Sequence, residues 1–421
     1  MTARWAAAVD TRRVTRAPAA SHGRREHTGG TVRPVEVRLG VVVVEARLDL
    51  RPTPCGFLLV PRVAGDMDIG VVGDGPGAEA VDAALGDVDV NAFSVESALL
   101  DGFDLAVVVD TTGSPAFAAA NDRLDRWVAV EVGGVGGVAL ADVDAAVTVF
   151  ETACYDCLCA RVASGTTESS ATADAPTGTR SAVRYAGAFA GRAVVQLLTG
   201  DSVGDTVREV PGTTRHLLAA PGCSCGDAPD AALPRADRSR SVSAAIDRAE
   251  RAVDARIGLL TDVGERESFP VPYYVSRLAD TTPFSDVSAA AFAGGAADDW
   301  DVAFMKALGE GLERYAAGVY DSSAVTTAPA ADVQDPVTPD AFVRPDDATR
   351  YDPDDRLAWV RGEALATGAV RQLPAEFVHF PPPERRYRPP ITTGLGLGNS
   401  GPAAALAGLY EVVERDATMT T

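Results

Sequence analysis

Lysine is nearly missing from this chain: Lys306 is the only one among 38 lysines and arginines, which stand against 59 acids. The formal charge is −21 and the pI about 4.6. Nonspecific binding to nucleic acid needs basic clusters that displace phosphate counterions, so this balance argues against a nucleic-acid partner. Aromatic residues make up only 6%. No apolar run approaches the ~20 residues that span a bilayer, and VRLGVVVVEARL near residue 40 is too short, which argues against a membrane partner. Residues 1–37 are polar and basic with no apolar h-region, so a secretory signal is not expected and a cytoplasmic location is. The acid surplus suits a protein kept soluble by its own charge, as in a halophilic, salt-rich cytoplasm; ordinary acidity from a GC-rich genome is the bland alternative.

What is present begins with length. At 421 residues, with 46% hydrophobic content, the chain is long enough for two packed cores. Residues 1–66 lack a hydrophobic period over most of their length and read as a disordered or mis-annotated extension, with Met67 as a natural start; a small module built on VVVVEARLDL is the rival reading. From Met67 to about Phe150 strands and helices alternate. Strands are expected at Asp68–Val72, Phe103–Val109 and Trp127–Val132, and helices at Glu79–Leu85 and Pro115–Leu124, which implies a parallel, doubly wound α/β sheet. Tyr185–Thr199 reads as an amphipathic helix with small residues for close packing. Residues 164–181 form a low-complexity polar loop, 226–240 a linker, and 321–355 a long surface excursion, while a helix is expected from Ser241 to about Leu260.

Three motifs carry chemistry. Gly73, Gly75 and Ala78 fit a G-x-G-x-x-A turn, which can bring backbone N–H groups toward phosphate. Pro76 removes one donor and Asp74 adds a negative charge, so glycines that merely permit a tight turn explain it as well. A nicotinamide-dependent oxidoreductase rests on that turn alone. Cys154-x-x-Cys157 and Cys223-x-Cys225 offer four thiolates in two close pairs, the composition of a structural zinc site; buried free thiols or a redox pair are the alternatives. Cys159 is a spare candidate and Cys55 lies far off in sequence. Third, E-x-x-E-R occurs twice, as Glu310, Glu313 and Arg314 in KALGEGLERYAAG and as Glu411, Glu414 and Arg415 in AALAGLYEVVERDA. Residues three apart share a helix face, so each copy aims two carboxylates one way. On a solvated face this would be an unremarkable ion pair. Set in apolar runs, the carboxylates need partners, and a hard cation such as magnesium, arriving with ATP, supplies them. The glycine-rich TTGLGLGNSGP before the second copy ends at Asn399, whose amide could complete a metal or phosphate shell.

These residues resemble the YcaO family of ATP-dependent amide-activating enzymes. The resemblance implies magnesium ligands at Glu310, Glu313, Glu411 and Glu414, and ATP contacts at Asn399 and Arg415, with Arg314 as a further candidate. Residues 67–232 resemble the ThiF-like domain fused to YcaO domains in azoline-forming cyclodehydratases, where two cysteine pairs hold structural zinc and the domain serves as a scaffold that helps present peptide. The expected architecture is thus a ThiF-like, Rossmann-type parallel-sheet domain followed by the N-terminal part of an α/β YcaO domain over 237–421. The family fold continues past this last helix, with more ATP-binding groups and a catalytic tail, so the second domain is expected to be incomplete and its catalytic base is unknown. Lys306 and Thr393 depart from the usual serine and asparagine. The implied partners are a precursor peptide or protein substrate, a dehydrogenase or sulfur donor, and a second copy in a homodimer. The implied reaction is O-phosphorylation of a backbone amide, giving an azoline or a thioamide. The contrasting expectation is a noncatalytic module that only presents peptide.

Overall fold

The computed structural model describes residues 2–10, 39–47, 67–165, 177–201, 203–225, 235–320, 325–344 and 347–419. Two strands come first, β1 (Thr2–Asp10) and β2 (Leu39–Arg47), paired antiparallel in register from Thr2 opposite Arg47 to Asp10 opposite Leu39. These residues are thus strands and not disordered, and the run read as VVVVEARLDL is a strand as far as Arg47; residues 11–38 and 48–66, including Cys55, lie outside the described residues.

Next come β3 (Asp68–Val72), α1 (Gly75–Gly86), β4 (Asn91–Ser94), β5 (Leu105–Thr111), α2 (Pro115–Asn121) and β6 (Trp127–Val132). A small hairpin of β7 (Gly134–Val135) and β8 (Val138–Ala139) leads to β9 (Ala145–Phe150), α3 (Tyr155–Gly165), α4 (Arg180–Leu198), β10 (Thr206–Val210) and β11 (Thr213–His216). The seven-stranded sheet runs β11-β10-β9-β6-β5-β3-β4. The expected all-parallel sheet is corrected here: β4, β3, β5 and β6 are parallel, but β9 is antiparallel to β6, and β10 and β11 are antiparallel too. The reason lies in the connections. Parallel neighbours need a crossover, which α1 and α2 supply. Between β10 and β11 only Pro211 and Gly212 intervene, enough for a hairpin and for nothing else.

Alternate residues of the central strands feed two cores, as a pleat of period two requires. Val107, Val109, Val128 and Val130 pack with Ala78, Val81 and Leu85 of α1 and Ala186, Ala190 and Val194 of α4. Ala106, Val108, Trp127 and Ala129 face Phe117 of α2 and Leu158 and Val162 of α3 on the other side. The glycine turn is explained by packing. Gly73 has φ +111°, and a Cβ there would meet the Val109 carbonyl at 2.0 Å. Helix α4 crosses α1 so closely that a Cβ on Gly187 would lie 2.1 Å from the Gly77 carbonyl. Gly187→Ala is expected to force the helices apart and cost roughly 2–3 kcal/mol, seen as a lower urea midpoint with unchanged slope.

One carboxylate that the sequence did not single out organises the end of β6. Glu131 is fully buried and accepts from Thr112 Oγ1 (2.9 Å), Tyr155 OH (3.1 Å) and the backbone N–H groups of Gly136 (2.7 Å) and Gly137 (2.9 Å). Burial raises its pKa, and these four donors pull it back. It pins the β7–β8 turn against α3.

Beyond the described part of the linker lie α5 (Val242–Ala249), β12 (Leu260–Glu267), β13 (Tyr273–Leu278), β14 (Phe292–Ala296) and α6 (Trp300–Ala317). The helix expected to reach Leu260 stops at Ala249: a short 3-10 turn follows, and Asp254 Oδ1 then accepts from the N–H groups of Arg256 (2.8 Å) and Ile257 (2.9 Å) in a turn. Strands β12, β13 and β14 form an antiparallel sheet on which α6 packs. The remaining elements are β15 (Thr326–Ala328), β16 (Leu357–Ala364), β17 (Val370–Pro374), β18 (Leu395–Gly398) and α7 (Gly401–Met419). A second mixed-origin sheet runs β15-β16-β2-β1-β18, with β17 on β16, so the first strands of the chain pair beside one of the last. The 321–355 segment is not wholly a surface excursion, since Phe342 and Tyr351 enter a core with Leu357, Trp359 and Tyr387.

A charge network, buried except at Asp142, joins the two halves. Arg215 bonds Asp254 (2.7 and 2.9 Å) and Glu209 (2.9 Å), while Arg256 meets Glu209 (2.8 Å) and Asp142 (2.7 Å). No helix among the described residues is long and apolar enough to cross a membrane.

Candidate functional sites

The cysteine centre is built at the start of α3. Cys154 and Cys157 are three apart, so they share a face of the first helical turn. Cys223 and Cys225 arrive on the turn that follows β11. The four sulfurs lie within 4.8 Å of one another, with separations of 3.6 Å (Cys154–Cys157) and 3.4 Å (Cys154–Cys223, Cys157–Cys225, Cys223–Cys225). A zinc tetrahedron with ~2.3 Å bonds has edges of about 3.8 Å, so the donor set fits that ion. The Ala220 N–H reaches Cys157 Sγ at 3.1 Å, the kind of outer contact that favours a thiolate. The Cys154 and Cys225 sulfurs hold the Cys157 thiol down to about 4 against the opposing effect of burial. Cys225 is pushed up by the same sulfur neighbours, Cys154 and Cys157. Cys159 stands apart: burial and Glu131 push its thiol up to about 12, which marks a packed thiol and no ligand.

The acidic residues are positioned by α6, β18 and α7. Helix α6 starts at Asp299, whose carboxylate accepts the Val302 N–H (3.0 Å). Ala303, Ala307, Leu308, Gly311, Leu312 and Tyr315 form its buried face. A Cβ on Gly311 would lie 2.5 Å from Ser276 Oγ, so only glycine lets the helix settle on β13 here. Glu310 and Glu313 lie along the margin of that face. On α7, Ser400 caps the first turn by accepting the Ala403 N–H (3.3 Å) and donates to Asp237 (2.9 Å). Gly396 and Gly398 let α7 lie on β18, since Cβ atoms there would meet Ala404 backbone atoms at 2.2 and 2.4 Å.

Backbone donors at β18 serve both helices. The Gly394 N–H donates to Glu411 Oε2 (2.9 Å), and the Leu397 N–H hydrogen-bonds Glu313. Glu313 is pushed up to about 8, first by burial and then by the charges of Glu310 and Glu411; Arg314 and Leu397 oppose this. Arg314 folds back on Glu310 Oε1 (3.0 and 2.5 Å) and Arg415 on Glu411 (3.2 Å). Glu414 is exposed. Of the four candidate glutamates, Glu310, Glu313 and Glu411 therefore form one electrostatic group, and Glu414 stands outside it. Among the described residues no three of them reach the closeness of the four cysteines. Asn399 Oδ1 is buried without a hydrogen-bond partner, one residue past β18. The backbone donors of Gly394 and Leu397 were not foreseeable, because any residue carries an N–H and only the fold aims it.

Residues 294–421 match the family model described as YcaO cyclodehydratase, ATP- and Mg2+-binding. This part of the chain is a YcaO-family domain. Among solved structures, the fold is similar to that of a heterocyclase in complex with substrate and cofactor, with TM-score 0.58 and 18% identity over 84% of this chain. The chain spans 57% of that heterocyclase's length. A YcaO from Methanopyrus kandleri, bound with AMPPCP and Mg2+, matches at 26% identity and TM-score 0.29, over 37% of this chain and 38% of that one. No curated protein sequence matches this chain. The YcaO match covers both E-x-x-E-R copies and Asn399.

Proposed function

We propose that this chain takes part in ATP- and magnesium-dependent activation of a peptide backbone amide. One observation carries the reading: Glu310, Glu313 and Glu411 are gathered around β18 by two helices, with the most buried carboxylate stabilised as its neutral acid unless a cation joins it. The donor set is oxygen only and suits magnesium, and the unpartnered Asn399 oxygen adds one more hard ligand atom. Glu310, Glu313 and Glu411 would hold the ion, and Asn399 and Arg415 would contact the nucleotide; Glu414 and Arg314 remain the further candidates that the motif names. Bound magnesium would neutralise the charge on the transferring phosphoryl oxygens.

In the reaction, a Cys, Ser or Thr side chain of the peptide, or a sulfur donor, attacks the amide carbon. The former carbonyl oxygen becomes an oxyanion and takes the γ-phosphoryl group of ATP, releasing ADP. Phosphate then leaves with that oxygen, giving an azoline or a thioamide. The chain's own residues bind and orient; none of them is assigned as the base. Residues 67–225 fit a ThiF-like scaffold, on the parallel β4-β3-β5-β6 group, the glycine turn occupied by packing and the four-cysteine centre.

Calorimetric titration of the full chain with AMPPCP, with and without Mg2+, tests the site. Saturable, magnesium-dependent binding is expected. The folding-back of Arg314 and Arg415 onto Glu310 and Glu411 favours the second reading, a peptide-presenting module with an inert acidic site. Absence of heat with AMPPCP, alongside retained binding of a Cys-containing peptide, would establish that module instead.

A further inference from the structure

The two sites are joined by one side chain. Arg161 is 1% exposed, on α3 one helical turn beyond Cys157. Its Nε donates to the Leu218 carbonyl (3.1 Å) and its Nη2 to the Ala219 carbonyl (2.7 Å). These residues immediately precede Ala220, whose N–H reaches Cys157 Sγ, and lead into the Cys223 turn. The guanidinium thus clips together the two segments that carry the sulfurs. Its third arm, Nη1, leaves for the other half of the molecule and donates to Tyr315 OH (2.5 Å). Tyr315 is fully buried on α6, two residues after Glu313. The cation also lies over the rings of Phe284 (5.4 Å) and Tyr315 (5.8 Å). Among the described residues no carboxylate pairs with it.

A buried cation with only neutral acceptors is a costly choice for filling a seam, because an apolar side chain of similar volume would pack without desolvating a charge. A planar fork does what an apolar residue cannot: it fixes three partners at defined angles. A second tie runs alongside, in which the Asp280 N–H donates to the Ser164 carbonyl (3.1 Å) and Ser164 Oγ to the Asp280 carbonyl. Movement of the 218–225 segment, which metal at the sulfurs would hold in place, therefore has a direct route to α6.

We propose that Arg161 is a positioning residue that makes the seating of α6, and with it the Glu310–Glu313 pair, depend on metal occupancy of the four-cysteine centre. The functional meaning of that dependence rests on the magnesium–nucleotide reading above, but the coupling itself does not.

Amide hydrogen exchange on the full chain tests it, comparing zinc-loaded, chelator-stripped and zinc-restored protein. Stripping is expected to speed exchange in residues 154–165 and 218–225, and in 306–317 by about tenfold, reversibly, with β5 unchanged as the internal reference. In Arg161→Met the first two segments should still respond to zinc while 306–317 no longer does. Tyr315→Phe removes a single oxygen and keeps the ring, and it should also uncouple 306–317. Indifference of wild-type α6 to zinc overturns the proposal, as does an undiminished α6 response in both variants, or a rise in β5 that shows general unfolding. AMPPCP titration separates the two ideas. Binding without an α6 response sinks the coupling alone; an α6 response without binding supports the coupling and sinks the nucleotide reading.

Discussion

Glu313→Gln should weaken magnesium-dependent AMPPCP binding by at least ~100-fold while leaving the metal-free protein as stable as before, or more so. Both halves of that expectation come from the same carboxylate. In the folded chain its pKa is about 8, raised by burial and by Glu310 and Glu411. A raised carboxylate contributes stability that is fully present below its unfolded pKa near 4.5 and is lost as pH rises through about 8. At pH 8 the metal-free wild type thus carries a destabilising charge worth a few kcal/mol, which glutamine lacks. A cation reverses the sign, because only the ionised group can ligate. Magnesium must displace a proton, so affinity should rise by about tenfold per pH unit between roughly pH 6 and 8 and flatten above. Titration in two buffers of different ionisation heat would count that proton. A pH-independent affinity, or an unweakened Gln variant, would remove Glu313 from the site.

The legibility of this chain in its sequence follows the range of the interactions. The strand at Asp68–Val72 and the strand at Trp127–Val132 were readable to the residue, because both are short, mostly apolar runs between polar turns. The four cysteines were readable because their chemistry allows few other uses and the two pairs are short. Sheet direction was not, since β9 is as apolar and as brief as its parallel neighbours, and the two-residue β10–β11 connection marks a reversal only for the polar edge pair that follows. The strand at Thr2–Asp10 was missed for a related reason. Thr2–Trp5 pairs with Leu395–Gly398 across almost the whole chain, a partnership no local pattern announces. Of the glutamates that the repeated motif picks out, the fold alone shows that Glu310, Glu313 and Glu411 are half-buried and that Glu414 faces water. Nothing in CLCARVA says that Arg161 has as its partner a tyrosine 154 residues away.

Cys157→Ser should abolish stoichiometric zinc and lower the thermal midpoint by about 10 °C. Cys157 is the innermost of the four sulfurs, fully buried, with two sulfur neighbours at 3.4–3.6 Å and the Ala220 N–H upon it. A serine oxygen is shorter in reach and harder as a ligand, so the tetrahedron would be left with three thiolates and a poorly placed fourth donor. Complete unfolding is not expected. Helix α3 remains anchored by Leu158 and Val162 in a core it shares with Trp127, Phe117 and Phe150. What loosens is the 218–225 segment, which has few apolar anchors besides Leu217 and Ala220 and relies on the sulfurs and on Arg161 to stay down. A loss of roughly 3–5 kcal/mol, spread over a domain of this size at 2–4 °C per kcal/mol, gives the stated shift. Calorimetry with metal analysis on the same samples would decide it. One zinc per chain and an unmoved midpoint in Cys157→Ser would mean that the close sulfurs are packed thiols, and that the clip formed by Arg161 holds 218–225 without help from a metal.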